Sequence, residues 1–173
     1  MLAAARRHPD TLFIGLDTNI AALRAAGRAA QRKPARGGAA NAAFVAGAFE
    51  DMPGPLIASA AAITVYLPWG SLLAGVLSSE GARSLRALAT PRAELDIVVS
   101  HDPARDRQHW ERLEIDPCIF SGGAVERFYA LAGWSDVQCR PFPPSELRTL
   151  GTTWASKLAM SRTRRSWRLT ARA

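Results

Sequence analysis

Four apolar runs, Leu12–Leu16, Ala43–Ala46, Ile63–Leu67 and Leu95–Val99, leave this chain few ways to fold. Each has strand length, and none alternates strictly between polar and apolar positions. Near-continuous runs of this kind mark parallel strands covered on both faces. Between them the sequence predicts helices at roughly 18–33, 70–88 and 122–133, the first opened by Thr18 or Asn19 as N-cap. The alternation argues for an α/β doubly wound sheet. After Trp134 come Asp136–Phe142, then Pro143-Pro144 with a helical stretch, then Ser166–Ala171. Two strands interrupted by a helix suit an antiparallel edge hairpin carrying an insertion. The polar stretch His101–Cys118 is expected to connect strand to helix. No repeat and no long linker divides the chain, so a single domain over residues 1–173 is expected.

Charge narrows the partners. The chain carries a net charge of +7 and a pI near 10.6, which suits a polyanion, either nucleic acid or a membrane surface. No acid lies between Asp17 and Glu50, a window holding Arg24, Arg28, Arg32, Lys33 and Arg36. No acid follows Arg148, while Lys157, Arg162, Arg164, Arg165, Arg168 and Arg172 do. An Arg-rich solvated surface is the plainer alternative, but two acid-free blocks exceed what composition alone should produce. The uncharged window Pro53–Ser79 would break as a spanning helix, because it contains Pro55, Pro68 and Gly70. Cys118 and Cys139 show no metal-type spacing and fit reduced thiols in a cytoplasmic protein. Met1–His8 holds too short an apolar stretch for a signal peptide.

Several side chains could carry chemistry. Asp17 ends the first strand run, where a carboxylate can accept hydrogen bonds from both ribose hydroxyls of a nucleotide cofactor; an acid at a helix N-terminus is the equal alternative. Glu50, after the second run, could meet an adenine amine or simply cap a loop. Pro68-Trp69-Gly70 is sharper: proline ends the strand, glycine permits an abrupt turn, and Trp69 should project at the sheet edge where doubly wound folds bind ligands. Trp154 opens a tail rich in positive charge, with packing of its helix onto the sheet as the alternative. Two indoles beside cationic surface suit an enzyme that holds a nucleobase out of its stack. Trp110, Trp134 and Trp167 have no motif around them, so packing is expected for each. Gly37-Gly38 and Gly122-Gly123 do not sit between a strand and a helix as a phosphate cradle must. His8, His101 and His109 form no metal-like cluster, and hydrolase or metalloenzyme readings find no support.

Five strings together resemble the 16S rRNA adenine-N1 methyltransferases that confer aminoglycoside resistance: Phe13–Asp17, Arg32–Gly38, Ala48–Pro53, Leu67–Leu73 and Trp154–Ala159. The first and third are common to class I methyltransferases, and the others belong to the group acting on helix 44 of the decoding site. The resemblance implies a Rossmann-like fold and S-adenosylmethionine as cofactor. It implies that Asp17 holds the ribose, that Phe49 and Glu50 flank the adenine, and that Leu67 lies near the cofactor. Phe49 stands where family members commonly carry alanine, a change expected to narrow that pocket. Trp69 and Trp154 would sandwich the flipped base, with Ser71 or Thr152 ordering the site. Arg32, Lys33 and Arg36 look like a loop that grips rRNA phosphates, and Lys157, Arg162 and Arg164 like a second basic surface. The implied partner is 16S rRNA in the assembled 30S subunit, approached by a monomer without metal.

Class I methyltransferases also hold the methionine end of the cofactor with a Gly-rich loop after a central first strand. Met1 reads as lying in the helix that follows that loop, so both are expected to be missing. Two competing readings follow: a truncated homologue that binds rRNA but not cofactor, and a small-molecule methyltransferase, which the basic blocks and paired tryptophans oppose.

Overall fold

The apolar runs become strands of two separate sheets. A computed structural model describes residues 1–173, in which two compact units, Met1–Met52 and Pro53–Ala173, are described in turn.

The first unit holds α1 (Leu2–Arg7), β1 (Phe13–Asp17), α2 (Ile20–Ala30) and β2 (Ala42–Ala46). The two strands pair in parallel, from Phe13 opposite Ala42 to Asp17 opposite Ala46. α2 starts where the sequence indicated, with the Asn19 side chain accepting from the Ala22 amide at 3.0 Å. It stops short of the expected residue 33, because Pro34 and Gly37 support a 3-10 turn over Pro34–Arg36. The Asn41 side-chain amide faces the carbonyls of Ala5, His8 and Thr11 at 2.9, 2.9 and 2.7 Å, tying α1 to the start of both strands.

The second unit contains β3 (Ala60–Tyr66), α3 (Ser71–Val76), α4 (Ser79–Leu88), β4 (Ala89–His101), α5 (Arg107–Arg112), α6 (Ala124–Leu131), β5 (Ser135–Pro141), α7 (Pro144–Leu147), α8 (Thr153–Leu158) and β6 (Arg165–Arg172). Its strand order is β3-β4-β6-β5, with β3 parallel to β4 and the other two pairs antiparallel. The expected hairpin is therefore present: α7 and α8 are the insertion, and β6 folds back between β4 and β5. In β4, Leu95, Ile97 and Val99 are buried on one face and Val98 on the other, as a run without alternation should be. The Tyr129 hydroxyl donates to the Val76 carbonyl at 2.9 Å and the Trp134 indole to the Ala82 carbonyl at 3.0 Å, so α6 is tied to α3, and the turn between α6 and β5 to α4.

Two expectations need correction. The single helix over 70–88 is two helices, because Ser78 intervenes: its hydroxyl donates to the Gly75 carbonyl and accepts from the Gly81 amide, closing one helix and capping the next. The stretch 101–118 is not a plain polar connector. It folds into α5 and a 3-10 turn over Pro117–Phe120, and it buries Trp110 beside His101. The uncharged window 53–79 forms a 3-10 turn, β3 and α3, and no helix is long and apolar enough to cross a membrane.

Candidate nucleic-acid interface

The turn after β3 is built to display one side chain. Tyr66 is held first: its hydroxyl donates to Asp96 at 2.7 Å, and the Arg168 guanidinium grips the same carboxylate at 2.7 and 2.9 Å. Burial, then the Asp96 carboxylate, pushes the Tyr66 phenol up to about 12, so it remains a hydrogen-bond donor at neutral pH. The Leu67 amide then donates to the Val98 carbonyl at 2.7 Å, the last rung beside β4. Leu67 adopts φ +58 and Gly70 φ +60, a left-handed conformation that is strained for leucine and free for glycine. Such strain persists only where surrounding packing enforces it. Between them Trp69 stands 54% exposed. One face of its indole is stacked on His109, with ring centroids 3.9 Å apart and planes 4° apart. The Gly70 amide donates to His109 Nε2 at 3.3 Å, which fixes the imidazole from the other side of the turn. Ser71, exposed, is the first residue of α3.

α8 presents the second indole. The Thr152 hydroxyl accepts from the Ala155 amide at 3.0 Å, capping the helix start. Ala155 and Ala159 pack against Val98, Phe142 and Leu147, and Leu67, Leu150 and Leu158 pack onto the same cluster. Trp154 takes no part in that core and is 58% exposed, so packing does not explain it. Leu67 therefore seats the Trp69 turn on the cluster that seats the Trp154 helix.

The basic residues fall into three situations. Arg32, Lys33 and Arg36 are exposed, and none forms an ion pair. Their loop is closed by the Arg36 amide donating to the Lys33 carbonyl at 2.7 Å and the Ala39 amide to the Ala30 carbonyl at 2.9 Å. Gly38 is required there, since a Cβ would lie 1.6 Å from the Arg32 carbonyl oxygen. Lys157 and Arg162 are likewise exposed and unpaired. Arg164 is a correction: its guanidinium donates to Asp106 at 2.8 Å, with the two side chains only 12% and 8% exposed. A cation held this way is not free to grip a phosphate.

The proposed cofactor residues lie in both units. Asp17 is exposed at the end of β1; one carboxylate oxygen accepts from the Asn19 amide at 2.9 Å and the other has no protein partner. That free oxygen, at the C-terminal end of a parallel strand, fits a ribose hydroxyl. Glu50 is exposed, whereas Phe49 is buried. Sequence reasoning missed His109, Asp102 and Asp106. No local pattern links them to Trp69 or to residues 161–164; only folding brings them there.

A family model described as 16S rRNA (adenine(1408)-N(1))-methyltransferase matches residues 1–173. The chain belongs to that family. A relative of that name from Streptoalloteichus hindustanus is 34% identical over 164 residues, covering 92% of this chain and 75% of its own length. Among solved structures, the aminoglycoside resistance methyltransferase NpmB1 is 37% identical with a TM-score of 0.77, covering 98% of this chain and 80% of its own. A mutant of the Catenulisporales acidiphilia enzyme, solved with cosubstrate SAM, is 32% identical with a TM-score of 0.78, covering 99% and 79%.

Proposed function

We propose that this member of the family transfers a methyl group from S-adenosylmethionine to N1 of adenine 1408 of 16S rRNA, acting as a monomer on the assembled 30S subunit. The observation that carries the reading is the pair of displayed indoles, Trp69 and Trp154, on elements that share one core. A large aromatic left more than half exposed forgoes burial, and a base stacked on it restores that loss.

When bound, the cofactor supplies an electrophilic methyl group on a sulfonium, and the electron pair of the broken bond stays on sulfur. The N1 lone pair forms the new bond, so no side chain has to remove a proton first. The work left to the protein is positioning, which can supply much of a barrier when reactants are aligned. Trp69 and Trp154 would hold the base, and Asp17 and Glu50, both exposed, would accept from ribose and adenine of the cofactor. The product base is cationic, and an indole face favours such a charge by about 0.5–2 kcal/mol. Arg32, Lys33 and Arg36 on one unit and Lys157 and Arg162 on the other would neutralise rRNA phosphates. A methyl group on N1 would obstruct aminoglycosides that dock against that edge, which accounts for a resistance phenotype.

The reading is tested by incubating purified 30S subunits with the protein and radiolabelled S-adenosylmethionine, then mapping the product by reverse transcription. Label in 16S rRNA and a stop next to adenine 1408 are expected. Absence of label, or a stop elsewhere, overturns the reading.

A further inference from the structure

Neither tryptophan-bearing element is long: α8 has six residues, and the Trp69 turn lies between β3 and a six-residue helix. Short helices hold their shape in water only through tertiary contacts. Part of that support comes from a place where the sequence suggested only a connector, the corner between β4 and α5. Asp102 is 1% exposed and Asp106 is likewise buried. The corner is self-braced. The Asp102 amide donates to the Asp106 carboxylate at 2.8 Å, the Asp106 amide to the Asp102 carbonyl at 2.9 Å, and the amides of Ala104 and Arg105 to the Asp102 carboxylate at 3.1 and 3.3 Å.

From this corner two arms extend. One reaches the loop that follows α8: Thr163 donates to Asp102 at 2.8 Å, Ser161 to the same oxygen at 3.4 Å, and Arg164 to Asp106 at 2.8 Å. The Ser166 hydroxyl, donating to Ser100 at 2.9 Å, extends the seam into the β4–β6 pair. The other arm is α5. The His109 amide donates to the Asp106 carbonyl at 3.0 Å, and one helix position on, Trp110 is buried against His101. That anchoring leaves His109 pointing at the Trp69 indole, on which it stacks.

We propose that Asp102 and Asp106, acting through Thr163, Arg164 and His109, are positioning residues for capture of the target base. The corner fixes the exit of the Trp154 helix and the plane of the Trp69 ring together. Base stacking then proceeds on two indoles already oriented, and binding need not order them. Buried carboxylates held by this many donors suit such a role, because removing one partner leaves a charge poorly compensated. His109 covers one face of Trp69, so the base takes the other face. The inference rests on the function proposed above.

The test uses residues at the rim of the brace, since changing the buried carboxylates could unfold the unit. Thr163→Val keeps the shape and removes the hydroxyl; Thr163→Ser restores it. His109→Ala removes the stacking partner; His109→Phe restores a ring. Each variant is measured for single-turnover methyl transfer, 30S affinity and melting temperature, and for 19F spectra of 5-fluorotryptophan-labelled protein. Thr163→Val should slow transfer about tenfold with 30S affinity changed little, the size expected for one hydrogen bond to a carboxylate. Thr163→Ser should recover most of that rate. In the spectra, Thr163→Val should shift or broaden the Trp154 signal and His109→Ala the Trp69 signal, while Trp134 stays fixed. Unchanged Trp154 and Trp69 signals would overturn the brace, as would equal rates for the valine and serine variants of an active protein. If the parent protein transfers no methyl group, the proposed function fails instead, and the spectra alone still decide the brace.

Discussion

Trp69 and Trp154 are the side chains whose environment least resembles that of their kind. Trp110 and Trp134 are buried, and Trp167 stacks on Phe120 at 4.3 Å, so three indoles pack and two do not. If the exposed pair holds a base, changing either to alanine should remove about 1–3 kcal/mol of stacking and reduce methyl transfer by about 5-fold to 150-fold. The melting temperature should move little, because neither ring contributes to the core. Phenylalanine should retain part of the activity, since stacking needs a π face more than an indole NH. A Trp154→Ala protein with full activity on 30S subunits would refute the assignment. Cys139, by contrast, has no evident chemical role. Burial, then Glu126, pushes its thiol up to about 12, so it stays protonated.

The loop following α2 has a rigid frame and free charges. Gly38 permits the close approach to the Arg32 carbonyl, and Arg6 donates to the Gly37 carbonyl at 2.7 Å, so the frame does not depend on the side chains of Arg32, Lys33 or Arg36. Replacing all three with alanine should therefore leave folding intact and weaken 30S binding. It should also flatten the dependence of affinity on salt: in a plot of log K against log salt, the slope should fall by about 0.7–0.9 for each phosphate no longer neutralised. An unchanged slope would mean that these cations do not meet phosphate. The tail behaves differently. Lys157 and Arg162 should show a similar loss of slope, whereas Arg164 should show a loss of stability, because Asp106 would be left buried without its partner.

Overall stability should fall in acid through the β4–α5 corner. Burial holds the His101 imidazole below its ordinary value of 6.5; Arg164 and Arg165 reinforce the shift, and Asp106 and Asp102 oppose it. The unfolded chain thus takes up this proton first, and stability is lost as pH falls below about 6.5 toward the folded-state value. Asp102 is also held low. Its burial works the other way, but the Thr163 hydroxyl, the amides of Ala104 and Arg105 and the Arg164 charge outweigh it. Its contribution is present above the ordinary value of 3.8 and is lost at lower pH, so the two steps act in the same direction. Urea midpoints should drop between about pH 7.5 and pH 5, and His101→Gln should flatten that first step. A variant with the parent's pH dependence would show that His101 is not the group responsible.

Strand runs, the Asn19 cap, the Pro-Trp-Gly turn and the acid-free blocks were legible in the sequence, because each depends on neighbours within a few residues. Hydrophobic periodicity, proline and glycine act locally, and local rules can be read from one string. The same strings carried the resemblance that the family match bears out. The split of 70–88 at Ser78 escaped because one hydroxyl satisfies both helix ends, a competition that composition does not reveal. The pairing of Arg164 with Asp106 joins residues 58 apart in the chain, and His109 reaches Gly70 across 39. Nothing local marks such partners, since an exposed and a buried arginine are the same letter. The order of residues was enough to place the strand runs and the start of the first long helix, and to say which family the chain joins. Which cations stay free, and what holds the two indoles in place, followed only from the folded chain, because burial and ion pairing arise when distant segments meet.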